Sequence, residues 1–109
     1  MIKEEISPQE LVSLLTNSAA GALLLLDVRE PWEWELTHIA DSTHIPMNLI
    51  PLRHNELPDQ ALIVTICHHG VRSLQVAHFL RDVGFDQVSS LHTGIDGWSK
   101  TIDSSILRY

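Results

Sequence analysis

The chain has 109 residues, 44% hydrophobic and 19% charged, the make-up of one globular domain with room for a single core. Seven basic residues stand against fourteen acidic ones, a net charge of −7 with the histidines neutral, so direct binding to nucleic acid or an anionic membrane is not expected. A lone cysteine excludes an intrachain disulfide; with no basic-then-apolar leader in "MIKEEISPQE" and no apolar run long enough to cross a bilayer, the expectation is a cytoplasmic protein.

From the N-terminus, Ser7-Pro8-Gln9-Glu10 reads as a helix start. Ser7 can cap, Pro8 suits the first helical position and Glu10 completes a capping box. Leu11, Leu14 and Leu15 mark one face of that helix, and the pattern fades at 17–21. "ALLLLDV" (22–28) is a short apolar run expected for a strand covered on both faces. "EPWEWELTHI" suits a short helix or loop and "STHIPM" a brief extended segment. "NLIPLRHNEL" is ambiguous, because Pro51 limits any helix. "ALIVTI" (61–66) is the second clear buried strand, rich in β-branched residues. Val76, Phe79, Leu80 and Val83 then recur at helical spacing, with the helix beginning near Arg72 and Gly84 as its stop. "QVSSL" (87–91) reads as a third strand. No repeat, linker or low-complexity tract divides the chain, so residues 1–109 form one domain. Strands alternating with helices predict an α/β fold with a mainly parallel sheet. In such sheets ligands bind beyond the carboxyl ends of the strands, and Asp27 and Cys67 both lie at such ends.

The only cysteine sits in "TICHHGVRS", between a strand and a helix. A lone cysteine is often inert packing, but its neighbours have chemistry of their own. A loop wound at a helix N-terminus points backbone N–H groups inward and forms an anion-binding concavity. Gly70 permits the tight turn, and Arg72 adds a fixed positive charge. All of these favour thiolate over thiol, and a thiolate in an anion cradle is a nucleophile for an anionic substrate. Blander readings stand beside this one: Arg72 pairing with an acidic residue, and His68 and His69 as solvated loop residues. A zinc site is not expected, because no second cysteine or spaced histidine pair completes one. A Cys–His dyad lacks an orienting third group.

Several stretches together resemble the rhodanese-like, or sulfurtransferase, family. "LLLDVREPWEWELTHI" is similar to its strand followed by D-V-R-E and G-H-I. "CHHGVRS" is similar to its active-site loop, C-x-x-G-x-R-S, and "LHTGIDGW" to its closing G-G-x-x-x-W segment. The tail "IDSSILRY" is similar to that of single-domain members. The resemblance implies a three-layer rhodanese-like domain with a central, mainly parallel sheet flanked by helices.

The resemblance also implies sulfur-transfer chemistry without a cofactor. Cys67 would take the outer sulfur of thiosulfate or a persulfide donor and pass it to a thiol, cyanide or a thioredoxin-like acceptor. The loop amides from His68 through His69, Gly70, Val71 and Arg72 to Ser73 would bind substrate and stabilise the persulfide, and Arg72 would hold the anionic donor. Asp27 and Arg29 would be structural, near the site. Thr37, Asp41-Ser42 and Thr93 depart from glycine-containing family positions and put local turns in question. His68 and His69 stand where thiosulfate-specialised members carry arginine and lysine, so thiosulfate would be a surrogate donor. Two other readings remain: a non-enzymatic interaction or sulfur-carrier module, and a phosphatase or arsenate reductase. The latter carry Cys-x5-Arg, whereas four residues separate Cys67 from Arg72 here, a smaller cradle.

Overall fold

A computed structural model describes residues 2–109. Five strands form one sheet: β1 (Glu5–Ile6), β2 (Leu23–Asp27), β3 (Thr43–His44), β4 (Leu62–Ile66) and β5 (Val88–Leu91). Their order is β1-β5-β4-β2-β3, and every pairing is parallel. Among the described residues five α-helices accompany them: α1 (Pro8–Asn17), α2 (Pro31–Leu36), α3 (Ile50–Arg53), α4 (Val71–Asp82) and α5 (Gly94–Thr101). The capping box of α1 forms as its sequence dictates, with Ser7 Oγ accepting from the Glu10 amide and Glu10 accepting from the Ser7 amide. The ambiguous stretch after β3 resolves into 3-10 turns at Met47–Leu49 and His54–Glu56 on either side of α3, and Pro51 falls in the first turn of α3, where its missing N–H costs nothing. β1 and β3 have two residues each, too short to show a period of their own.

Alternation along β4 sorts the core into two layers. Ile63 and Cys67 join Leu26, Val28, Val76 and Leu80 beneath α4. Val64 and Ile66 join Leu11, Leu91, Ile95 and Trp98 beneath α1 and α5. In the parallel register Asp27 lies opposite Ile66. The ends of β2 and β4 are therefore neighbours, and Asp27 and Cys67 share one sheet edge. Among the described residues, no helix is long and apolar enough to cross a membrane.

Candidate active site

Cys67 leaves β4 and the chain turns at once into α4. Gly70 makes the turn with φ +101 as the N-cap residue, a conformation open to glycine because it lacks a Cβ. A Cβ there would also press on the Thr93 amide nitrogen at 3.3 Å and the Leu91 carbonyl at 3.4 Å. The turn folds the chain around the sulfur. The amides of Gly70 and Ser73 donate to Cys67 Sγ at 3.1 and 3.3 Å. The Ser73 hydroxyl lies 3.3 Å from the sulfur and 2.7 Å from Ser90 Oγ. Thr65 Oγ1 donates to the Ser73 carbonyl at 2.8 Å, tying the first turn of α4 to β4.

The packing adds two features that the loop motif does not declare. Cys67 is not an accessible thiol: the residue is 1% exposed and packed in the core beneath α4. Arg72 is not a free cation. Its Nη1 and Nη2 donate to the two oxygens of Glu33 at 2.6 and 3.0 Å, and its side chain is 34% exposed. The pairing that was the blander reading of Arg72 is present. The Glu33 hydrogen bonds hold the Arg72 pKa up, and Arg72 remains within electrostatic reach of Cys67. Arg72 also walls one side of a cavity of about 710 Å³ lined by Val28, Pro31, Pro46, Met47 and Leu49.

Of the remaining loop residues, Val71 is exposed. The rings of His68 and His69 are engaged in stacking. They stack on each other at 3.9 Å, and the far face of His68 lies on Tyr109, also at 3.9 Å. Burial, and then the neighbouring His69, push His68 below its ordinary pKa. Among the described residues, no three His, Cys, Asp or Glu side chains are placed to hold a metal.

Asp27 and Arg29 form a buried pair, with Arg29 Nη2 at 2.7 Å from Asp27 Oδ2 and Nε at 2.9 Å from Oδ1. Arg29 also donates to the carbonyls of Glu33 and Thr37. The pair is connected to the loop through two residues that the sequence reading missed. Arg29 Nη1 donates to the Tyr109 hydroxyl at 2.9 Å, and that hydroxyl donates to Glu33. Burial pushes the Glu33 carboxyl up, but Arg72, Tyr109 and the Glu30 amide outweigh it and hold it at about 2. Burial, followed by the Glu33 hydrogen bond, pushes Tyr109 up to about 12. No local signal could have found these partners: Glu33 lies 39 residues from Arg72 and 76 from Tyr109.

The other side of the loop rests on α5. The Ile95 amide donates to the Cys67 carbonyl at 2.8 Å, and the Asp96 amide to the His68 carbonyl at 3.1 Å. Gly94 is required where the two segments meet, since a Cβ would come within 2.4 Å of the His68 carbonyl. The three departures from glycine resolve differently. Thr37 is extended at φ −167, which any residue adopts. Asp41 takes φ +64, a turn conformation that aspartate tolerates. Thr93 takes φ +66, strained for a β-branched side chain.

A parallel α/β sheet with a cysteine loop at the carboxyl end of its central strand defines an α/β domain whose candidate site is an anion cradle around a thiol. The chain belongs to the rhodanese-like domain family, whose family model matches residues 7–101. The chain is 33% identical over 97 residues to the thiosulfate sulfurtransferase GlpE of Actinobacillus pleuropneumoniae, covering 89% of this chain and 87% of that one. It is 38% identical over 78 residues to the putative sulfur carrier protein YrkF of Bacillus subtilis, covering 72% of this chain and 42% of that one. The crystal structure of a rhodanese-like domain protein from Staphylococcus aureus superposes with a TM-score of 0.82 at 26% identity, covering 98% of this chain and 99% of the other. These relatives support sulfur transfer as the general chemistry of the chain.

Proposed function

We propose that the chain is a sulfurtransferase that carries sulfur as a persulfide on Cys67, in the cytoplasm, where thiols stay reduced. The observation that carries this reading is the cradle: the main-chain amides of Gly70 and Ser73 donate to one sulfur within 3.3 Å at a helix start. Such donors stabilise negative charge on sulfur without reorganising during the reaction. In the first step the Cys67 thiolate attacks the outer sulfur of thiosulfate. A new S–S bond forms, the old one breaks, and sulfite leaves with the bonding pair. In the second step a thiolate or cyanide attacks the outer sulfur of the persulfide, and Cys67 departs as thiolate. The cycle is ping-pong.

The Arg72–Glu33 pair tempers the attraction for a small dianion, because the cation beside the sulfur is balanced by a carboxylate. With His68 and His69 in the loop, this favours thiosulfate as a surrogate for a persulfide donor. A sulfur-carrier role is the second reading, favoured by the covered sulfur and by the likeness to YrkF. Exposure to thiosulfate followed by intact-mass measurement tests the central step. The expected result is one sulfur atom gained on Cys67, removed by cyanide and absent in Cys67→Ser. Sustained turnover with a thiol acceptor separates enzyme from carrier. Hydrolysis of aryl phosphates with no sulfur gained would overturn both.

A further inference from the structure

Tyr109 touches the site from the far end of the chain. Its ring lies flat on His68, 3.9 Å away with the planes 8° apart, and Trp32 packs edge-on against it at 5.8 Å. These contacts seat the ring. The hydroxyl then has no choice of direction. Arg29 is fully buried and can only donate, so the Tyr109 oxygen accepts from Nη1 and its hydrogen goes to Glu33, which accepts.

Glu33 gains a defined plane from this. One oxygen is held by the Glu30 amide at 3.1 Å and the other by Tyr109. A bidentate arginine–carboxylate fork requires the two groups to be coplanar, so the plane of Glu33 sets the plane of the Arg72 guanidinium. Arg72 has five N–H groups and spends one from each terminal nitrogen on Glu33. Among the described residues the remaining three have no hydrogen-bond partner, and Arg72 lies within electrostatic reach of Cys67.

We propose that Tyr109 is a positioning residue whose hydroxyl, acting through Glu33, aims Arg72 at anions approaching the sulfur of Cys67. The proposal rests on the reading of Arg72 as the anion-binding group, and it makes the preference for charged reagents at Cys67 depend on a residue that touches neither sulfur nor donor.

The test compares alkylation of Cys67 by iodoacetate, an anion, with alkylation by neutral iodoacetamide. Each carbon–iodine bond is displaced by the thiolate in the same way, so the ratio of the two rates reads the field at the sulfur. Arg72→Ala sets the floor for that ratio. Tyr109→Phe keeps the ring on His68 and removes only the hydroxyl; it should lower the ratio about 3- to 10-fold, part of the way to the floor. Glu33→Asp, which keeps the charge and moves it, should lower the ratio as well. A general loosening of the fold would change both rates together and leave the ratio unmoved. An unchanged ratio in Tyr109→Phe and Glu33→Asp alongside a lowered one in Arg72→Ala overturns the proposal. So does an Arg72→Ala ratio equal to wild type, or a native protein that neither reagent labels. Thiosulfate loading, followed by mass on the same wild-type protein, is scored separately. Its failure would remove the sulfurtransferase reading while the alkylation ratio still decides the role of Tyr109.

Discussion

Replacing Glu33 by glutamine tests the network at its centre. The Glu33 carboxylate is 3% exposed and accepts from both Arg72 terminal nitrogens, the Tyr109 hydroxyl and the Glu30 amide. Its pKa of about 2 compares with an ordinary 4.5. A carboxyl held that far down contributes about 3 kcal/mol to stability at neutral pH. The folded value lies below the unfolded one, so the contribution is complete above pH 4.5 and is lost as pH falls from there towards 2. Glutamine removes the charge and turns an N–H towards the Arg72 donors, so Glu33→Gln should cost about 3–5 kcal/mol near neutral pH, seen as a fall in Tm of roughly 10–20 °C. Urea unfolding across pH supplies the sharper assay. The gap between wild type and Glu33→Gln should narrow by about 2 kcal/mol between pH ~7 and pH ~3, because only wild type titrates the group. A gap that stays constant over that range, or a variant within about 1 kcal/mol of wild type, would refute the reasoning.

Three further outcomes follow from the loop and its support. Thr93→Gly should stabilise the protein by about 0.5–1 kcal/mol in chemical denaturation, since the relief of a left-handed threonine exceeds the entropy of the added glycine; a loss of stability would show that φ +66 is not strained there. Ser73→Ala keeps the main-chain donor, removes the hydroxyl beside the sulfur and leaves the buried Ser90 Oγ without that partner, so sulfur loading from thiosulfate should slow about 10-fold and stability should fall by about 1–2 kcal/mol; unchanged loading kinetics would remove the hydroxyl from the cradle. Gly70→Ala forces a Cβ against the Thr93 amide and should both destabilise by about 1–3 kcal/mol and abolish sulfur loading, readable by unfolding and intact mass; wild-type behaviour in both assays would mean that the turn has an alternative geometry.

What the sequence made legible was local. The capping box at Ser7 and Glu10 spans one helical turn, the buried strand 61–66 announces itself by composition, and the cysteine loop lies within seven residues. These features need no tertiary information. What stayed hidden depends on chain segments meeting. β1 exists because Glu5 and Ile6 pair with Ser90 and Leu91, not because two residues have a pattern. Arg72 reads as a free cation until α2 brings Glu33 beneath it. Tyr109 reads as a terminal aromatic until it meets Arg29, Glu33 and His68. The burial of Cys67 was hidden for the same reason: a polar-looking loop gives no sign that its first side chain points into the apolar layer beneath α4.

The contact between α5 and the loop has a consequence for the direction of the peptide units beside the cysteine. In a trans peptide the carbonyl and the amide hydrogen point opposite ways. The carbonyls of Cys67 and His68 are both drawn to α5 by the Ile95 and Asp96 amides. The amide hydrogens of His68 and His69 are thereby turned away from α5. Reversing either peptide would break a hydrogen bond to α5. The orientation of these two peptide units is thus set from behind, by hydrogen bonds from the start of α5.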